Sequence, residues 1–181
     1  HHGGAHAPRA AVVQIARALG ARVLATAGSA AKREAVRRLG AEAVFDYRRA
    51  DLVDAVRAVA PEGVHVYWET QREPAFDQAV AMLADRGRIV VMAGRDARPA
   101  FPVGPFYVKG CSLHGFAMFK ADSHTQAAAA ADINRWLALG KLRVPIDRVV
   151  PLSATAEAHA LQEANTIGRS GVLAGKIVVE P

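Results

Sequence analysis

Cysteine is nearly absent from this chain: Cys111 is the one cysteine in 181 residues. A lone thiol excludes an internal disulfide and a zinc site built from several cysteines. Aromatic residues are sparse, at 6%, and they are not interleaved with Lys and Arg, so the pattern offers little to a nucleic-acid surface. No apolar run is long enough to cross a bilayer, and the first residues do not read as a secretory leader. The expected compartment is the cytoplasm. Acidic residues are also in short supply: 17 Asp and Glu stand against 23 Lys and Arg, a net charge of +6. The arginines are scattered, and Arg37-Arg38 and Arg48-Arg49 read as solvated helix and loop faces. What is plentiful is hydrophobic, at 51%. That supports one domain with a sizeable core and excludes a disordered chain.

Apolar residues recur at helical spacing from Pro8 to Leu19, with Pro8 suited to the first turn and Gly20 to the end. A strand is predicted over 22–27, a helix over 31–39 stopping at Gly40, and a short strand over 43–46. Asp51 is placed as the cap of a helix to Val59, followed by a Pro61-Glu62-Gly63 turn. A strand over 64–68, a helix over 74–84 and a nearly continuous apolar strand over 88–93 come next. Such continuous apolarity suits a strand covered on both faces. Alternation of strands and helices predicts an α/β, doubly wound parallel sheet flanked by helices. After Gly94, residues 98–105 read as a Pro-rich loop, 111–119 as a strand and 123–139 as the longest helix. Residues 146–151 read as extended, Ser153 as the cap of a helix to about Asn165, and 176–179 as the final strand.

The run from Val23 to Arg33 is informative for what it omits. In a dinucleotide-binding fold the end of the second strand usually carries an Asp or Glu that binds the ribose 2′-hydroxyl. Here that place holds Ala27, Gly28 or Ser29, and the first long side chains beyond are Lys32 and Arg33. A missing carboxylate with nearby cations suits a 2′-phosphate, hence NADP(H) rather than NAD(H). The same two cations also suit an ordinary solvated helix start.

Several segments then fall into one order: Gly3-Gly4-Ala5, Gln14-Ile-Ala-Arg-Ala-Leu-Gly-Ala-Arg-Val, Arg37-Arg-Leu-Gly-Ala, Phe45-Asp-Tyr-Arg, Gly87-Arg-Ile-Val, Met92-Ala-Gly, Ser112-Leu-His-Gly-Phe and Ala174-Gly-Lys-Ile-Val. Together they resemble the cofactor-binding region of the medium-chain dehydrogenase/reductase superfamily, in its zinc-independent quinone oxidoreductase, zeta-crystallin-like branch. An enoyl-reductase-like domain is the second reading within that superfamily. The resemblance implies a Rossmann fold, with residues 1–181 as one NADP(H)-binding domain. It implies that the family's N-terminal GroES-like domain and the first strand of the sheet are not in this chain, and that about 141–181 pack toward that domain. A sheet lacking its first strand would expose backbone edges.

By the same resemblance, Gly4 and Ala5 lie in the phosphate loop, and Ser29, Lys32 and Tyr47 surround the 2′-phosphate. Thr70, Ala93, Gly94, Gly115 and Phe116 line the nicotinamide pocket, and Lys176 sits at the cofactor edge. Tyr47 also reads as a half-buried aromatic, Phe116 as plain core and Lys176 as a surface strand residue. The phosphate loop departs from the family: His6 and Arg9 stand where it has glycines, and Pro8 stiffens the turn. Cofactor affinity is expected to be weakened, unless the loop moves aside.

Hydride chemistry is carried by the cofactor, so no catalytic side chain is nominated. No spaced Cys/His cluster suggests a metal. His114 reads as a core histidine, Cys111 as a small buried hydrophobe, and Glu69 and Glu73 as loop charges. His65 and His159 have no paired carboxylate nearby in sequence. The implied activity is NADPH-dependent reduction of quinones or other α,β-unsaturated carbonyls, with this chain alone nearly inactive. The alternatives are a non-catalytic Rossmann remnant that binds nucleotide or dimerises, and a basic nucleic-acid-binding domain. The expected partners are a small-molecule substrate and a second copy, paired through the 111–119 edge strand.

Overall fold

The computed structural model describes residues 7–168, 170, 172–173 and 175–181. Gly4, Ala5 and His6, and the side chains of Pro8 and Arg9, lie outside the described residues. In chain order the elements are α1 (Ala7–Ala18), β1 (Leu24–Thr26), α2 (Ala30–Arg38), β2 (Ala43–Phe45), α3 (Leu52–Val59), β3 (Val64–Glu69), α4 (Phe76–Met82), β4 (Leu83–Val91), α5 (Val103–Val108), β5 (Ser112–Gly115), α6 (Ser123–Ala138), β6 (Ile146–Pro151), α7 (Thr155–Thr166) and β7 (Lys176–Glu180). The architecture is the expected Rossmann-like α/β arrangement of parallel strands and helices. It is laid out as three ladders, β1-β2, β3-β4-β5 and β6-β7. The chain divides into two compact units, one of residues 1–48 and 127–181, the other of residues 49–126.

In the first unit β1 and β2 run parallel, with Leu24 opposite Ala43 and Thr26 opposite Phe45. Their connection contains α2. Ala10, Val13 and Gln14 recur at helical spacing on α1 and are buried. Val13, Ala41 and Val44 form a core with Val23, Ala25 and Val36 packed against it. Gln14 is buried but satisfied: its amide donates to the Arg143 carbonyl and accepts from the Arg143 N–H, each at 2.9 Å. Gly20, at φ +84°, lets the chain reverse after α1. β6 and β7 pair in parallel over the predicted segments.

In the second unit β4 lies between β3 and β5. The core is Phe76, Ala79, Val80, Leu83 and Ile89. Phe101 extends it, meeting Phe76 and Phe106 edge-on at ring separations of 5.1 and 4.9 Å.

Several boundaries differ from the sequence expectations. The helix expected over 74–84 ends at Met82, because Leu83 is already extended (φ −64°, ψ 142°) and joins β4. Two cations cover its last carbonyls. Arg57 donates to the carbonyls of Ala81 and Leu83 at 2.8 and 3.1 Å, and Lys109 to those of Val80 and Leu83 at 2.7 and 2.9 Å. Burial, and then the charge of Arg57, push the Lys109 pKa down. The Pro-rich segment is not all loop: α5 starts at Val103, with Pro105 in the first turn, where its missing N–H costs nothing. The strand expected over 111–119 is only Ser112–Gly115, and Met118–Lys120 form a 3-10 turn. Ser153 does not cap α7. It lies in a 3-10 turn, and the Thr155 hydroxyl donates to the Leu152 carbonyl at 2.6 Å. Asp51 stands at the start of α3 without a side-chain cap bond, its carboxylate being held by Arg49 at 2.6 Å.

Candidate functional site

The first unit gathers polar groups where β1 and β2 end. Gly28 follows β1, and a Cβ there would lie 2.8 Å from Cε1 of Tyr47 and 2.9 Å from its hydroxyl. Glycine is what lets the Tyr47 ring lie against the turn. Ser29 caps α2: its Oγ accepts the Lys32 N–H at 3.2 Å. The Lys32 side chain is half-buried and has no ion pair among the described residues. Tyr47 thus lies against the Gly28 turn, with Ser29 and Lys32 at the start of α2 beside it in sequence.

Three further residues join them: Arg33, Asp46 and Arg48. Asp46 Oδ2 accepts from Arg33 at 3.1 Å and from Arg48 at 2.7 Å, and its Oδ1 accepts from Arg48 Nε at 2.9 Å. Arg48 also donates to the Gly28 carbonyl, and its guanidinium stands 5.8 Å from the centre of the Tyr47 ring. Arg48 is the exposed loop charge expected from sequence, and it also holds Asp46. Hydrogen bonds from Arg48, and then the charge of Arg33, hold the Asp46 carboxyl well below the usual carboxylate range. The cluster sets three cations, Lys32, Arg33 and Arg48, against one carboxylate.

The second unit presents the carboxyl ends of three adjacent parallel strands. Thr70 follows β3, Ala93 and Gly94 follow β4, and Gly115 ends β5 with Phe116 next. These are the positions where open parallel sheets take ligands. The Phe116 N–H donates to the Val91 carbonyl at 2.9 Å, tying the two strand ends together. A cavity of about 530 Å³ opens there, lined by Val91, Met92, Ala93, Arg95, Gly115, Phe116, Ala117 and Lys120. Thr70 and Gly94 are not in its wall. Gly94, at φ +81°, instead packs on the β3–α4 loop. Phe116 is 49% exposed, on the cavity rather than in the core. The Trp68 indole N–H donates to Met92 Sδ at 2.9 Å, between neighbouring strand ends.

Glu69 corrects the reading of a loop charge. It is the last residue of β3 and 1% exposed. Its Oε1 accepts the Gln71 N–H at 2.6 Å, which shapes the turn after β3, while its Oε2 has no partner. Tyr67, two residues earlier, is pushed up to about 12 by burial and then by the Glu69 charge. His114 is exposed on β5, not in the core: all four residues of that strand, on both faces, are exposed. Cys111 is half-buried against the core, the small hydrophobe expected. Lys176 is an exposed residue of β7, opposite Ile146, and no described contact joins it to the Gly28–Tyr47 cluster. Among the described residues no group of three His, Cys, Asp or Glu could hold a metal ion, and no helix is long and apolar enough to cross a membrane.

Residues 10–134 match the family model described as zinc-binding dehydrogenase. The chain is 30% identical over 159 residues to the quinone oxidoreductase of Sus scrofa, covering 87% of this chain and 48% of that protein. It is 32% identical over 177 residues to a phenolphthiocerol/phthiocerol polyketide synthase of Mycobacterium tuberculosis, covering 93% of this chain and 8% of that one. Among solved structures, an NAD-dependent alcohol dehydrogenase superposes with a TM-score of 0.77 at 27% identity, over 99% of this chain and 50% of that chain. The chain spans about half the length of the quinone oxidoreductases it matches.

Proposed function

The chain belongs to the zinc-binding dehydrogenase family of the medium-chain dehydrogenase/reductase superfamily, and from that premise we propose that it is the NADP(H)-binding portion, residues 1–181, of a reductase acting on quinones or other α,β-unsaturated carbonyls. The observation that carries the reading is the Gly28–Tyr47 cluster. No carboxylate follows β1 directly, Lys32 stands in the first turn of α2, and Arg33 and Arg48 meet on a single acid, Asp46. Lys32, with no ion pair among the described residues, meets the charge of the 2′-phosphate. The Ser29 and Tyr47 hydroxyls supply donors, and Asp46 fixes the fork of Arg48 beside them. When bound, the cofactor supplies the hydride. The strand ends of the second unit carry an apolar wall of Met92, Ala93 and Phe116. Zinc appears in the family's description, but the described residues offer no ligand set for it.

A homodimer is part of the proposal. β5 is the outer strand of its ladder, and Leu113, Met118 and Phe119 on or after it are exposed. An uncovered apolar edge favours pairing with a second copy. Light scattering on a size-exclusion column is expected to give a dimer, and monomer alone would overturn that part.

The cofactor reading is tested by calorimetric titration with NADPH and NADH in parallel. Saturable binding, tighter for NADPH, is expected, with Lys32→Ala erasing the preference. Absence of binding by either nucleotide would overturn it and leave a non-catalytic remnant.

A further inference from the structure

The cavity of the second unit carries an asymmetry of charge that a neutral quinone would not use. Its wall is apolar at Val91, Met92, Ala93 and Phe116, and the two charged side chains on it, Arg95 and Lys120, are both cations. Neither makes an ion pair among the described residues, whereas Arg22, Arg33, Arg48, Arg49, Arg135 and Arg148 all hold acids. The acids nearest in sequence do not serve them. Asp96 and Asp122 are absent from the wall, and Asp122 accepts the Thr125 N–H at 2.7 Å at the start of α6. Two cations beside an apolar wall, with no acid to neutralise them, suit a ligand that is itself apolar at one end and anionic at the other.

We propose that this cavity selects substrates whose unsaturated, apolar body carries a carboxylate, with Arg95 and Lys120 on the carboxylate and Phe116 and Met92 against the body. The inference rests on the reductase reading and narrows its substrate class from neutral quinones to unsaturated acids. Arg95 presents a planar fork that matches a carboxylate, and Lys120 adds a point charge. Both cations are exposed, so the gain is that of solvated pairs, about tenfold for the two together.

The test compares cinnamate with its neutral counterpart cinnamamide, each titrated into the full chain and followed by calorimetry, with NADPH titrated separately. Cinnamate is expected to bind about tenfold tighter, a preference that shrinks as sodium chloride is raised. The Arg95→Gln/Lys120→Gln double variant is expected to bind the two probes alike, while Arg98→Gln, which removes a cation outside the wall, keeps the preference. Equal binding by the parent chain, binding of neither probe, or a preference that survives the double variant would overturn the proposal. So would an equal loss in Arg98→Gln, which would trace the attraction to net charge. Loss of NADPH affinity in the double variant would also overturn it, by giving the cations to the cofactor. If the parent chain fails to bind NADPH yet prefers cinnamate in the expected way, the acid site stands and the cofactor reading falls.

Discussion

Gly94 follows β4 and Gly115 ends the neighbouring β5, and alanine at each should do opposite things. Gly94 holds φ +81°, and an added Cβ would lie 2.9 Å from the Arg72 carbonyl oxygen and 3.2 Å from Pro74 Cδ. The left-handed backbone costs an alanine about 1–2 kcal/mol. The steric contact falls on backbone and on a proline ring that cannot rotate away, which adds about 1–3 kcal/mol. Gly94→Ala is therefore expected to destabilise the chain by about 2–5 kcal/mol. At Gly115 an added Cβ meets nothing within 4 Å. Gly115→Ala should leave stability unchanged or raise it by up to about 1 kcal/mol, through reduced freedom of the unfolded chain. Its methyl adds bulk to the cavity wall, so ligand affinity should fall while the fold holds. Urea unfolding followed by Trp68 fluorescence in a Trp136→Phe background reads the first effect, and NADPH and cinnamate titrations read the second. A Gly94→Ala midpoint within about 0.5 kcal/mol of the parent would refute the steric reasoning.

Lys109→Met keeps the aliphatic stem but removes the donor over the last carbonyls of α4. Because Arg57 still covers Leu83, the expected loss is about 1–2 kcal/mol in urea unfolding. The Asp46 carboxyl is held below its ordinary value of 3.8, so its contribution is complete above that pH and is lost as pH falls below it. The stability difference between the parent and Asp46→Asn should therefore be present at neutral pH and shrink in acid, as read by urea midpoints. Tyr67 has the opposite sign: with a native pKa of about 12 against 10.0, the folded state keeps a proton that the unfolded state releases. Stability should decline as pH rises from 10 toward 12, less steeply in Tyr67→Phe.

Much of the ladder architecture was legible because punctuation and apolar pattern agree. Gly20 and Gly40, each placed as a helix stop, both take positive φ, and β6 occupies the residues predicted for it. The misreadings share a physical cause: local pattern does not report the partner. Glu69 ends an apolar strand and looked like the start of a loop, yet neighbouring structure buries it. His114 sits in a stretch that looks like core, yet no described element covers either face of β5 there. At the candidate site, the Ser29 cap of α2 is readable from the helix start, and Lys32 and Tyr47 rest on the resemblance. The bond from Arg33 to Asp46 spans 13 residues and leaves no periodic trace. Arg95 and Lys120 meet on one cavity because they follow different strands of one ladder, a convergence invisible along the chain.

The Trp68–Met92 contact also bears on how a sample of this protein ages. Met92 is 41% exposed, and its sulfur accepts the indole N–H. Peroxide converts a thioether to a sulfoxide, whose oxygen is a polar acceptor. The indole would keep a partner, so secondary structure would survive the oxidation. The wall beside Phe116 would nonetheless turn polar, and apolar ligands would bind less well to a sample that still looks intact by circular dichroism. Trp68 emission would record the damage, and treatment with methionine sulfoxide reductases would reverse it.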